Sequence, residues 1–113
     1  MLPQDWKTHF DSEIALGYAA RGEGKEGRAR VCARRALALA LADYVSRRGE
    51  QPEGSDAVAL IQLSRTRPDL PAGVQEKLAH FLVRVEPGGR FPIDADLLEE
   101  ARWICAELVD ESE

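Results

Sequence analysis

At 113 residues, with 44% hydrophobic and 31% charged side chains, the chain suits one folded domain, long enough to build a core without disulfide staples. A net charge of −5 argues against a general nucleic-acid coat. The average hides a split: residues 21–48 carry eight basic and three acidic side chains (+5), whereas residues 94–113 carry eight acidic and one basic (−7). Such a split favours pairing within the fold or across a dimer over a nucleic-acid site. No N-terminal stretch has the basic start and apolar core of a signal peptide, and no apolar run is long enough to span a bilayer, so cytoplasmic residence is expected.

The first helix is expected from about Pro3 to Ala20, with Trp6, Phe10, Ile14 and Tyr18 forming an aromatic-rich stripe every four residues. That spacing reads as core in preference to a base-stacking surface. Gly22, Gly24 and Gly27 then mark a helix–helix turn; the segment lacks both the GxxxxGK[ST] pattern and the preceding strand of a phosphate loop.

The second helix, Arg28 to Gly49 (RARVCARRALALALADYVSRRG), is apolar all the way round. Leu37, Leu41 and Tyr44 fall on one side, and Val31, Cys32 and Leu39 elsewhere. A helix without a polar face needs neighbours on several sides, so this one is expected at the centre of a bundle or shared with a subunit interface. Gly49 suits a left-handed C-cap, and Arg47 and Arg48 suit the negative end of the helix dipole.

After a polar loop at residues 50–54, Ser55 or Asp56 can cap a third helix with Val58, Leu60, Ile61 and Leu63 as its apolar set. Pro68 and Pro71 separate it from a fourth helix carrying Val74, Leu78, Phe81, Leu82 and Val85. Glu86-Pro87-Gly88-Gly89 forces a turn. The fifth helix is expected to begin at Asp94 as N-cap, with Ile93 packing on Leu98 as a staple. Its apolar face is Leu97, Leu98, Ala101, Ile104, Cys105 and Leu108. The pattern predicts an all-α, four- to five-helix up-and-down bundle with two long N-terminal antiparallel helices. It forms a single domain over residues 1–110, and the acidic end, 111–113, is expected to fray.

Cys32 and Cys105 sit among apolar residues of expected helices, so buried free thiols are expected rather than a disulfide. Two cysteines and two histidines without close spacing give no metal signature, and no cofactor is expected.

The second helix, with its ARVCARRALALAL rhythm, and the stretch Phe81 to Leu108, with Arg90-Phe91-Pro92 before the last helix, resemble the HEPN family. The resemblance implies a helical bundle, often dimeric. It also implies one of three roles: a toxin–antitoxin ribonuclease, a partner of a small nucleotidyltransferase, or a domain with nucleotide binding. The family's ribonuclease motif runs from arginine, over four to six residues, to histidine. Neither His9 nor His80 has an arginine at that distance before it, so the catalytic residues do not carry over.

Two residue groups remain. His80 and Arg84, four apart, would share a helical face and could move a proton and stabilise a charged transition state; a half-exposed histidine beside a surface arginine is the plainer account. Arg28, Arg30, Arg34 and Arg35 gather near a helix start, where the dipole adds positive charge, and form a candidate phosphate or anion site. Salt bridges to the acidic last helix, within the chain or across a dimer, compete with that reading. The expectation is a non-catalytic, dimeric binding or regulatory protein, partnered by a nucleotide or a nucleotidyltransferase. A divergent ribonuclease using His80 and Arg84, or a purely structural interaction module, is the alternative.

Overall fold

A computed structural model describes residues 5–50 and 56–111. Five α-helices follow in order: α1 (Trp6–Gly22), α2 (Glu26–Arg47), α3 (Ala57–Ser64), α4 (Ala72–Leu78) and α5 (Leu97–Glu111). No strand occurs among the described residues. The expected helix start at Pro3, the alternative cap Ser55 and residues 112–113 of the expected fray lie outside them.

The two long helices pair antiparallel through a tight turn. Gly24 takes φ +79, the Lys25 amide donates to the Ala20 carbonyl (2.8 Å) and the Gly24 amide to that of Arg21 (3.0 Å). α2 ends in the same way, with Gly49 at φ +81, Glu50 N–H bonded to Val45 O and Gly49 N–H to Ser46 O. Both are two-bond caps that only a left-handed residue completes, as Gly49 leads one to expect.

α2 is the central helix. It packs most extensively against α1 and also lies against α5 and α3. Ala29, Ala33, Ala36, Leu37, Ala40, Leu41 and Tyr44 have almost no exposed surface. Most of its apolar pattern is thus enclosed within one chain, by α1, α3 and α5, whereas Val31 remains 41% exposed and Leu39 half-buried. The stripe on α1 is core: Phe10 and Ile14 are buried, and Trp6 and Tyr18 pack against them. Both cysteines are buried free thiols, and burial pushes Cys105 up to about 11.

α1 runs two residues past Ala20 to Gly22, and α2 runs Glu26–Arg47 instead of Arg28–Gly49; two other boundaries differ with more consequence. α5 begins at Leu97 and its cap is Asp96, not Asp94: Glu99 N–H donates to Asp96 Oδ1 (3.3 Å) and Glu100 N–H to the Asp96 carbonyl (2.9 Å). Arg21 decides between the two aspartates, because its guanidinium grips the Asp96 carboxylate through both oxygens (3.0 and 3.1 Å). With the cap there, the staple positions are Ala95 and Glu100, so Ile93 and Leu98 are out of register for it. The fourth helix does not reach Val85. It tightens into a 3-10 turn at Ala79–Leu82, and Val83 is extended (φ −68, ψ 131). The β-branched Val83 and Val85 favour extended chain, and Pro87 bars helix at the residue before it.

Two arginine clamps fasten the bundle's ends. Arg21 also holds Glu26 with two bonds (2.9 and 3.0 Å), joining α1, α2 and the start of α5. Arg67 holds Glu50 (2.7 and 2.8 Å) and Asp69 (2.8 and 3.0 Å). Arg21 pulls the Glu26 carboxyl below its usual value; at Asp96 burial works the other way, but the bonds from Arg21 and the Glu99 amide prevail. Arg67 lowers Glu50 and Asp69 likewise. A carboxyl depressed on folding contributes stability above its unfolded value, about 4, and loses it as pH falls through the folded value. The melting temperature is therefore expected to drop on acidification below about pH 4, and Arg21→Gln to flatten part of that drop. A wild-type profile flat down to about pH 2 contradicts the clamps.

A candidate anion-binding groove

The four arginines near the start of α2 do not form one site. α2 begins at Glu26, so its positive end is met by a carboxylate, and Arg34 and Arg35 lie more than two turns inside. The dipole falls off within the first turn and does not serve them. Arg30 stacks over the Phe91 ring, 4.7 Å from its centroid. Arg34 is half-buried and donates from Nε to the Phe81 carbonyl (2.8 Å), fixing the 3-10 turn against α2. Burial, then the neighbouring Arg30, lowers the Arg34 pKa. Arg28 and Arg35 are exposed.

Among the described residues, none of these four pairs with an acidic side chain of the last helix. The arginine ion pairs among the described residues are those of Arg21, Arg47, Arg48, Arg67, Arg90 and Arg102. Only Arg21 reaches across to the start of α5, through Asp96.

His80 and Arg84 part company. His80 Nδ1 lies 2.8 Å from Glu100 Oε1, tying the 3-10 turn to α5. Arg84 follows two residues after that turn and faces a different space. The shared helical face supposed for the pair needed helix through Arg84, and the helix has ended.

Arg84 instead joins Arg34 and Arg35 around a groove of about 720 Å³. One side is the first half of α2, another the start of α3, and the third the non-helical chain after Leu82. Val31, Val58 and Val85 line it while 41–43% exposed, and Asp56 stands at its α3 end. Asp56 caps α3 by accepting from Ala59 N–H (2.8 Å), which holds that side chain in place. A smaller depression continues from the groove past Arg35 and Val31 to Arg28 and the exposed Leu16. Chemically, the groove offers cationic donors that bind carboxylate or phosphate, beside open apolar surface. It offers no nucleophile and no paired acid and base. Among the described residues no cluster of metal-ligating side chains occurs, and no helix is long and apolar enough to cross a membrane.

Sequence reasoning found Arg34, Arg35 and Arg84 but assigned them to two sites. The contribution of Val31, Val58 and Val85 was missed. Val83-Arg84-Val85 carried the available signal, an alternation at period two just before a turn. No family model matches the chain, no curated protein matches it, and no solved structure matches it.

Proposed function

We propose that this chain is a non-catalytic, HEPN-like helical protein that acts as a binding or regulatory partner, and that its binding surface is the groove of Arg34, Arg35 and Arg84. The observation that carries the reading is that those three arginines line one groove with solvent-exposed valines, with no ion pair to any of the three among the described residues. Proteins seldom leave apolar side chains clustered in the open without a use. The partner is anionic and is another protein, such as the nucleotidyltransferase that the family likeness suggests. A nucleotide is the second reading, supported by the fit of convergent arginines to phosphate and by a groove volume within the range of small-ligand sites. The ribonuclease reading gains nothing from the geometry, since His80 bonds Glu100 and Arg84 serves the groove. Homodimerisation is part of the proposal only as a separate association, read by sedimentation.

Titration with ATP and with polyglutamate tests the reading. At least one is expected to bind wild type at low salt, more weakly as salt rises. Arg35→Glu with Arg84→Glu is expected to lose binding by more than about tenfold, two reversed charges at one groove costing upward of 1.4 kcal/mol. Binding undiminished in that double variant removes the groove as the site.

A further inference from the structure

Resting on the groove as the binding surface, the geometry also says what kind of partner fits it. Six large apolar side chains are exposed among the described residues; three of them line this groove and a fourth, Leu16, borders the depression that continues it. The open apolar surface is therefore concentrated on one face. Arg28, Arg35 and Arg84 surround it and make no ion pair among the described residues. An isologous contact between two copies through this face would set arginine against arginine, so a second copy is the wrong occupant. No aromatic ring stands open in the lining for a base to stack on, so single-stranded RNA fits poorly as well.

The third wall adds an independent feature. The chain leaves helix at Val83, which is extended, and the amides of Arg84 and Val85 donate no hydrogen bond among the described residues. The carbonyls of Val83, Arg84 and Val85 accept none there either. Non-helical chain with open backbone groups, beside a groove with apolar side chains, can pair with an extended segment laid against it. In an extended segment, alternate side chains point to opposite sides, so one set reaches the valines while the other lies toward the arginines at the rim.

We propose that the groove docks an extended segment of a partner protein in which acidic side chains alternate with branched apolar ones, laid along Val83–Val85. The apolar set packs on Val31, Val58 and Val85, and the carboxylates meet Arg35 and Arg84.

Three short fluorescent peptides of equal charge, titrated against the whole chain by anisotropy, test it. One alternates Glu and Val, one alternates Glu and Ser, and one has the Glu and Val of the first rearranged to three- and four-residue spacing. The alternating Glu/Val peptide is expected to bind about tenfold or more tighter than either of the others, as burial of two valines requires. Val58→Ser with Val85→Ser is expected to erase that advantage while the circular dichroism stays that of wild type, and Arg35→Gln with Arg84→Gln to weaken all three. Equal affinity of the Glu/Val and Glu/Ser peptides overturns the proposal, as does tighter binding of the rearranged peptide or of an oligouridylate RNA. If ATP binds and depends on the arginines while no peptide does, this proposal fails and the groove survives. If nothing anionic binds, both fail.

Discussion

Replacing Gly17 with valine is expected to destabilise the bundle by roughly 3 kcal/mol or more, the upper range for forcing extra atoms into a packed core. Gly17 is buried where α1, α2 and α5 meet. A Cβ there would stand 2.5 Å from Leu98 Cδ2 and 3.3 Å from both Leu98 Cδ1 and Cys32 Cβ. Leu98 is itself fully buried, so its side chain cannot swing out into solvent to make room. Even alanine is expected to cost about 1–2 kcal/mol net, although it gains about 1 kcal/mol in helix propensity over glycine. Gly22, near the end of the same helix, has nothing within 4 Å of such a Cβ, and Gly22→Ala should be neutral or slightly stabilising. Thermal unfolding of the two alanine variants decides it: a melting temperature raised by Gly17→Ala would show that the three helices do not meet this closely.

Tyr44→Ala should cost about 3–5 kcal/mol, the usual range for deleting a buried aromatic ring. Tyr44 is fully buried near the C-terminal end of α2. Its hydroxyl donates to the Asp69 carbonyl (3.1 Å), and the Arg48 guanidinium lies 3.6 Å from the ring centroid while also pairing with Asp69 (3.1 Å). The ring therefore organises the contact between the end of α2 and the loop before α4. Tyr44→Phe keeps the ring and removes one hydrogen bond, so its cost is expected to be about 1–2 kcal/mol. Denaturant midpoints of the two variants separate the contributions. A phenylalanine variant as unstable as the alanine one would mean that the hydroxyl, not the ring, holds this end together.

The helices were legible because each leaves a local pattern: the four-residue stripe of α1, the glycine after α2, the prolines before α4. The enclosure of α2 was legible too, but what encloses it was not. Leu37 and Leu41 carry no mark that tells a neighbouring helix of the same chain from one in another subunit. Asp94 and Asp96 both satisfy the local rules for capping. The choice fell to Arg21, 75 positions from Asp96, and such a partner is invisible to a local reading. The pairing of His80 with Arg84 assumed that helical period continued through Val83–Val85, where β-branched residues and Pro87 end it. The groove was the least legible feature, because Val31, Arg35, Val58 and Arg84 come from three separate segments and meet only after folding.

The proposed binding surface is the groove lined by Arg34, Arg35 and Arg84. Amide chemical-shift mapping of the isotopically labelled chain during polyglutamate titration tests it most directly. The shifting amides are expected to cluster in α2 around Val31–Arg35, in the first turns of α3 and at Leu82–Val85. Shifts centred on the α1–α5 cleft around Lys7 and Arg102, or spread evenly over the basic surface, would contradict it.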